Sequence, residues 1–153
     1  MGWVELGNHL EANAELERIE AVNRAHPDVL QVRWRVYALV GKWEACLDLA
    51  KAIARIAPER AFGWLHISHA LRKLDRIQEA LDNMVDALGR FPPNATMPFY
   101  AACYCAQLGK IAEARAWLEK AFANAESQEV RQKLKLRALD EPDLKPVWQG
   151  GAP

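Results

Sequence analysis

Four positions set 34 residues apart, Gly7, Gly41, Asp75 and Gly109, constrain this chain more than any other feature. Five residues beyond each stands a small side chain: Ala12, Cys46, Ala80 and Ala114. Nine beyond stand Leu16, Ala50, Met84 and Leu118, and twelve beyond stand Ile19, Ile53, Ala87 and Ala121. Offsets of five, nine and twelve step by four and then three, which is one face of an α-helix, and the small residue marks a place where two helix backbones come close. Each period then reads as helix, turn, helix. Glycine at the turn suits a left-handed helix ending, and Asp75 tolerates that conformation at some cost.

Prolines punctuate the same pattern. Pro58 and Pro92 stand where each second helix must stop, and Pro27 and Pro98 stand near the start of the next first helix. The chain has a single threonine, Thr96, and no alternating apolar pattern, so nothing argues for a sheet. The spacing predicts helices near 10–24, 29–40, 43–56, 61–73, 77–90, 97–108, 111–124 and 128–138.

Composition narrows the function classes. Of 153 residues, 51% are apolar and 26% charged, which is ordinary for one globular domain with a continuous core. Twenty basic residues balance twenty acidic ones, so no global field selects nucleic acid or an anionic membrane. No apolar run is long enough to span a bilayer, and the start MGWVELGNHLEAN lacks the basic-then-apolar order of a signal peptide. A cytoplasmic location is expected. Three cysteines cannot build a disulfide framework, so reduced thiols are expected.

A helix-turn-helix period of 34 residues, with Trp opening a repeat and Pro closing it, resembles the tetratricopeptide repeat (TPR), most clearly in FGWLHISHALRKLDRIQEALDNMVDALGRFP, residues 62–92. The resemblance extends over residues 3–126. The segments WLHISHALRKLDRIQEA, CYCAQLG and ALDEPDLKPVW are also similar to small stand-alone bacterial repeat proteins. It implies an all-α, right-handed superhelix of antiparallel helix pairs with a C-terminal capping helix. The expected layout is a single domain over 1–148: a truncated repeat at about 3–26, repeats at 27–60, 61–94 and 95–126, a cap and tail over 127–148, and a flexible tail at 149–153.

The same resemblance implies a concave wall built from the first helix of each pair. The wall would hold Gln31, Arg35, Ala38 and Leu39, then Phe62, Leu65, His66, His69, Arg72 and Lys73, then Thr96, Phe99, Cys103, Ala106 and Gln107. Tyr100 stands where the superfamily often has a peptide-binding asparagine. The implied activity is a non-catalytic protein interaction scaffold holding an extended peptide or partner helix. Arg35, His66, His69, Arg72 and Lys73 make that wall locally basic, so an acidic segment or a free carboxyl terminus is the expected ligand. The alternative is a self-associating assembly protein, a homodimer through the N-terminal repeat with its Trp3, Leu6, Leu10 and Leu16.

Chemical readings of the cysteines and histidines compete with packing. Cys103 and Cys105 are about 200° apart around a helix, so they oppose one another instead of forming a chelate. Cys105 shares a column with Tyr37 and Leu71 and reads as core, while Cys103 shares one with Arg35 and His69 and reads as exposed wall. Cys103 with His66 and His69 is the one zinc-like set, but it lacks a fourth ligand. Cys103 with His69 as base lacks an orienting acid. No cofactor is expected. The tryptophans, including Trp34, Trp43 and Trp64, read as packing, and His9 and His26 as surface residues near helix ends. In VRQKLKLRALD, Val130, Leu134 and Leu136 read as the seat of the cap, with Leu144, Val147 and Trp148 folding back onto it.

Overall fold

The computed structural model describes residues 26–150. Their order is α1 (Pro27–Leu39), α2 (Trp43–Ile56), α3 (Ala61–Lys73), α4 (Ile77–Leu88), α5 (Thr96–Gln107), α6 (Ile111–Ala123), α7 (Gln128–Asp140) and a 3₁₀ helix (Pro142–Gly150). No strand occurs among the described residues. The expected helix at 10–24 and the N-terminal positions Trp3, Leu6, Gly7, His9, Leu10, Ala12, Leu16 and Ile19 lie outside them. The other helices fall within about a turn of the predicted bounds, which is the ordinary uncertainty of helix ends.

The chain divides into two compact units, Met1–Arg76 and Ile77–Pro153. In the first, α1 packs on α2 and α2 on α3. Pro27 occupies the opening turn of α1, where its missing N–H removes nothing the helix needs, and the His26 Nδ1 accepts from the Asp28 N–H at 3.3 Å. Exposed His26 is therefore a cap. Gly63 explains how closely α2 and α3 approach: a Cβ there would lie 2.6 Å from the Ala54 backbone nitrogen.

In the second unit α5 is the hub, packing against α4, α6 and the 3₁₀ helix. Its sequence TMPFYAACYCAQ has little charge on any side, as expected of a helix covered all round, and residues 97–99 and 101–106 are buried. The Asn94 Oδ1 accepts from the Met97 N–H (2.9 Å) at its start, and the Ser127 Oγ accepts from the Val130 N–H (3.1 Å) to open α7.

The 34-residue period is written into the backbone. Positive φ occurs at Gly41 (72°), Asp75 (61°) and Gly109 (76°), the three turn positions among the described residues. Each turn closes by the same bond: Lys42 N–H to Tyr37 O (3.0 Å), Arg76 N–H to Leu71 O (2.8 Å) and Lys110 N–H to Cys105 O (2.9 Å). The apolar columns follow. Cys46, Ala80 and Ala114, then Ala50, Met84 and Leu118, then Ile53, Ala87 and Ala121 are all buried.

The C-terminal cap differs from expectation in its contacts. Val130 and Leu136 are 41% and 66% exposed, and Ala138 is the buried residue of α7. The main apolar seal comes from the 3₁₀ helix, whose Leu144 and Val147 are fully buried. Arg115 Nη2 donates to the Val147 carbonyl (2.8 Å) and Trp148 Nε1 donates to the Ala138 carbonyl (3.0 Å), so the tail does fold back onto α7. A two-proline segment adopts 3₁₀ turns readily, whereas the Lys and Arg residues of α7 keep most of that helix in water. Gln149 and Gly150 belong to this 3₁₀ helix.

Candidate functional site

In the first unit, α1 and α3 present a cluster of rings. Phe62 and His66, one helical turn apart, stack at 3.8 Å between centroids and 14° between planes. Trp34 meets both edge-on, at 6.2 Å from Phe62 and 4.4 Å from His66. It also lies 5.9 Å from His69 and 6.3 Å from Trp43, and Trp43 lies 5.5 Å from His69. Lys73 extends its ammonium over the Trp43 ring at 5.5 Å. Of the residues expected on the wall, Phe62, His66, His69 and Lys73 are therefore brought together. Arg35 is exposed, and its charge reaches His66. Arg72 lies near enough to act on His69, while Leu65 is half-buried.

The electrostatics favour neutral imidazoles. Burial lowers the His66 pKa, the hydrogen bond between its Nδ1 and the Phe62 carbonyl (2.9 Å) works the other way, and Arg35 lowers it further. His69 is lowered by burial and then by His66, Lys73 and Arg72. The face thus carries its positive charge on Arg35, Arg72 and Lys73, with apolar rings between.

The second unit places its candidates differently. Phe99 is 1% exposed and Cys103 4% exposed, which corrects the expectation that both stand open on a wall. The cause is the packing of α4, α6 and the 3₁₀ helix around α5. The Arg137 guanidinium lies 4.6 Å over the Phe99 ring and 5.7 Å over the Tyr100 ring, and Arg137 Nη2 donates to the Tyr100 hydroxyl at 3.4 Å. Gln107 and Thr96 are exposed at opposite ends of α5, and Ala106 is buried.

The thiols are packing groups. All three cysteines are buried and unpaired in disulfides. Burial pushes Cys46 up to about 11 and raises Cys105, where Glu113 adds to the effect and Lys110 opposes it. Neither is poised as a thiolate nucleophile. Among the described residues no group of three or more His, Cys, Asp or Glu side chains is placed to hold a metal ion. No described helix is long and apolar enough to cross a membrane.

Sequence reasoning read Trp34 and Trp43 as packing, which the burial of Trp34 matches, but did not place them against the histidines, and it gave Arg137 no role. The signal for Trp34 lay in the repeat: its equivalents one and two periods on are Ser68 and Ala102, both fully buried small residues. A large ring in a column of small ones must reach beyond its own helix. Arg137 had no such signal, because it lies past the last repeat.

No protein-family model matches the sequence, and no curated protein matches it. Solved structures do. MamA from MSR-1 superposes with a TM-score of 0.62 at 25% identity, over 89% of this chain and 72% of that one. MamA from AMB-1 gives 0.64 at 26% identity, over 85% and 72%. A thermophilic TPR protein of Thermus thermophilus gives 0.64 at 23% identity, over 94% and 79%. With three left-handed turns and three buried columns repeating every 34 residues, the chain has an all-α fold of the tetratricopeptide-repeat type.

Proposed function

We propose that this chain is a non-catalytic scaffold that binds a protein partner, an extended peptide or a helix, through the first helices of its repeats. The TPR-type fold supports an interaction or assembly role in general. The observation that carries the finer reading is the α1–α3 face, where Arg35, Arg72 and Lys73 surround Trp34, Trp43, Phe62 and two imidazoles lowered toward the neutral form. The half-buried Trp43 and Phe62 rings supply contact area at low entropic cost, buried Trp34 supports them from beneath, and the cations select an acidic partner. Candidate contacts are Arg35, Phe62, Leu65, His66, His69, Arg72 and Lys73, all in the first unit. A cytoplasmic setting and the single-domain layout over 1–148 belong to the same proposal.

The test is capture of the native partner by the full chain, repeated with Arg35→Glu and Arg72→Glu and across a salt series. Binding that weakens with salt and with each reversal, at unchanged melting temperature, supports the reading. Salt-independent capture by both variants sinks it.

Leu136 and Leu139, 66% and 43% exposed on α7, favour a second reading, self-association. Light scattering over a concentration series, with Leu136→Glu as control, separates the two. A homodimer through the N-terminal repeat would rest on residues outside those described.

A further inference from the structure

Two segments close the C-terminal end of the second unit, and they are held in different ways. The 3₁₀ helix is anchored by apolar burial, through Leu144 and Val147, and the Val147 carbonyl accepts from Arg115. Helix α7 has no such anchor. Ala138 is its buried residue, whereas Val130, Leu136 and Leu139 stand open to water. It packs on α6 and on the 3₁₀ helix, and it reaches α5 through the long side chain of Arg137.

Cations make the contacts that apolar side chains do not. Lys135 holds its ammonium 5.6 Å over the Phe122 ring, Arg137 lies over Phe99 and Tyr100, and Arg131 Nε donates to the Phe122 carbonyl at 3.0 Å. The ion pair of Lys133 with Glu129, at 3.3 Å, joins two exposed side chains on the solvent side. A partly exposed cation over a ring is a weak contact, and the bond from Arg137 Nη2 to the Tyr100 hydroxyl is long at 3.4 Å. A helix seated on one methyl group and a few such contacts belongs to the low-stability end of its domain, where a segment opens before the whole unfolds. Opening leaves it tied at both ends, to α6 just before Ser127 and to the anchored 3₁₀ helix from Pro142.

We propose that α7 is a lid: it opens as a unit while the 3₁₀ helix stays seated, and its opening lifts Arg137 off the Phe99–Tyr100 edge of α5. Closed, the lid denies that edge to any partner, so a ligand of this part of α5 binds only the open fraction and loses affinity by that factor. The inference goes beyond the scaffold reading, whose contacts lie in the first unit.

Native-state hydrogen exchange of the full chain, read by mass spectrometry, tests this. Peptides covering residues 132–140 should exchange at least about tenfold faster than those of α5 and α6. Val147→Ala loosens the seal, so it should speed α5 and α6 about tenfold and leave 132–140 unchanged, because Val147 stays buried in the open state. Arg137→Ala should speed 132–140 about two- to fivefold, since the contact it removes is one the opening breaks. Exchange of 132–140 in step with α5 and α6, or accelerated as much as theirs by Val147→Ala, would show that α7 and the 3₁₀ helix leave together and overturns the lid. An unchanged rate in Arg137→Ala overturns the part given to Arg137. Should Val147→Ala fail to fold, the comparison of helices within the parent chain still decides.

Discussion

The guanidinium of Arg137 lies 4.6 Å over the ring of Phe99 and donates to the hydroxyl of Tyr100, so the C-terminal helix occupies a side of α5 where the repeat pattern would put a ligand. Phe99 is unavailable to a partner while that contact holds. Arg137→Ala should cost about 0.5 to 1 kcal/mol, the range of a partly exposed cation–π contact. Truncation before Pro142 should do far more, since it removes Leu144 and Val147 from their buried positions and bares α5. Thermal melts and light scattering check both; a truncated chain that stays monomeric with an unchanged melt would show that the 3₁₀ helix does not seal the core.

Asp75 is the one non-glycine residue of positive φ among those described, at 61°. Its side chain is exposed, and the turn around it is held by backbone bonds. Asp75→Gly should therefore stabilise by about 0.5 to 1 kcal/mol, whereas Gly109→Ala should destabilise by about 1 kcal/mol. Urea midpoints of the two variants should move in opposite directions.

Gly63 behaves differently because its constraint is contact and not φ. A methyl group there would lie 2.6 Å from the Ala54 nitrogen and 2.9 Å from its Cα, both backbone atoms that cannot swing aside. Gly63→Ala should gain helix propensity yet lose about 2 to 3 kcal/mol through forced separation of α2 and α3. Circular dichroism melts decide the sign.

Cys103 and Cys105 should act alike. Both are buried, so Cys103→Ala and Cys105→Ala should each cost about 1 to 2 kcal/mol, and neither thiol should react with an aqueous disulfide reagent before unfolding. Rapid modification of Cys103 in the native state would contradict its burial.

Stability should fall on mild acidification. The folded-state pKa of His66 is lowered, chiefly by burial, so the unfolded chain takes up a proton first as pH drops. Its contribution is complete above the unfolded value of about 6.5 and is lost as pH falls from there toward the folded value. His66→Phe should flatten the melting temperature between about pH 7.5 and 5 relative to the parent chain. For the same reason, any tightening of ligand binding by His69 protonation should begin below the ordinary imidazole range.

Helix order and turn positions were legible because they depend on local chemistry that recurs. Gly41, Asp75 and Gly109 state the turn, and Cys46, Ala80 and Ala114 state the face that approaches another helix. The site was legible only in part. Phe62, His66, His69 and Lys73 share one helix and follow from its period, but Trp34 comes to them through packing of α1 and α3 around α2, which no single-helix period encodes. Cys103 was misjudged because its column partners, Arg35 and His69, are exposed in the first unit. In the second unit the corresponding helix is enclosed by a segment that belongs to no repeat.

The closing bond of each turn runs from backbone to backbone, from Lys42 to Tyr37, Arg76 to Leu71 and Lys110 to Cys105, and so asks nothing of the side chains except tolerance of a positive φ. In genetic terms these turns are equivalent splice points. Unequal crossing-over between the codons of Gly41 and Asp75, or of Asp75 and Gly109, would add or delete one whole helix pair and leave a chemically identical seam. Lengthening or shortening of such a gene is therefore expected in steps of 34 codons.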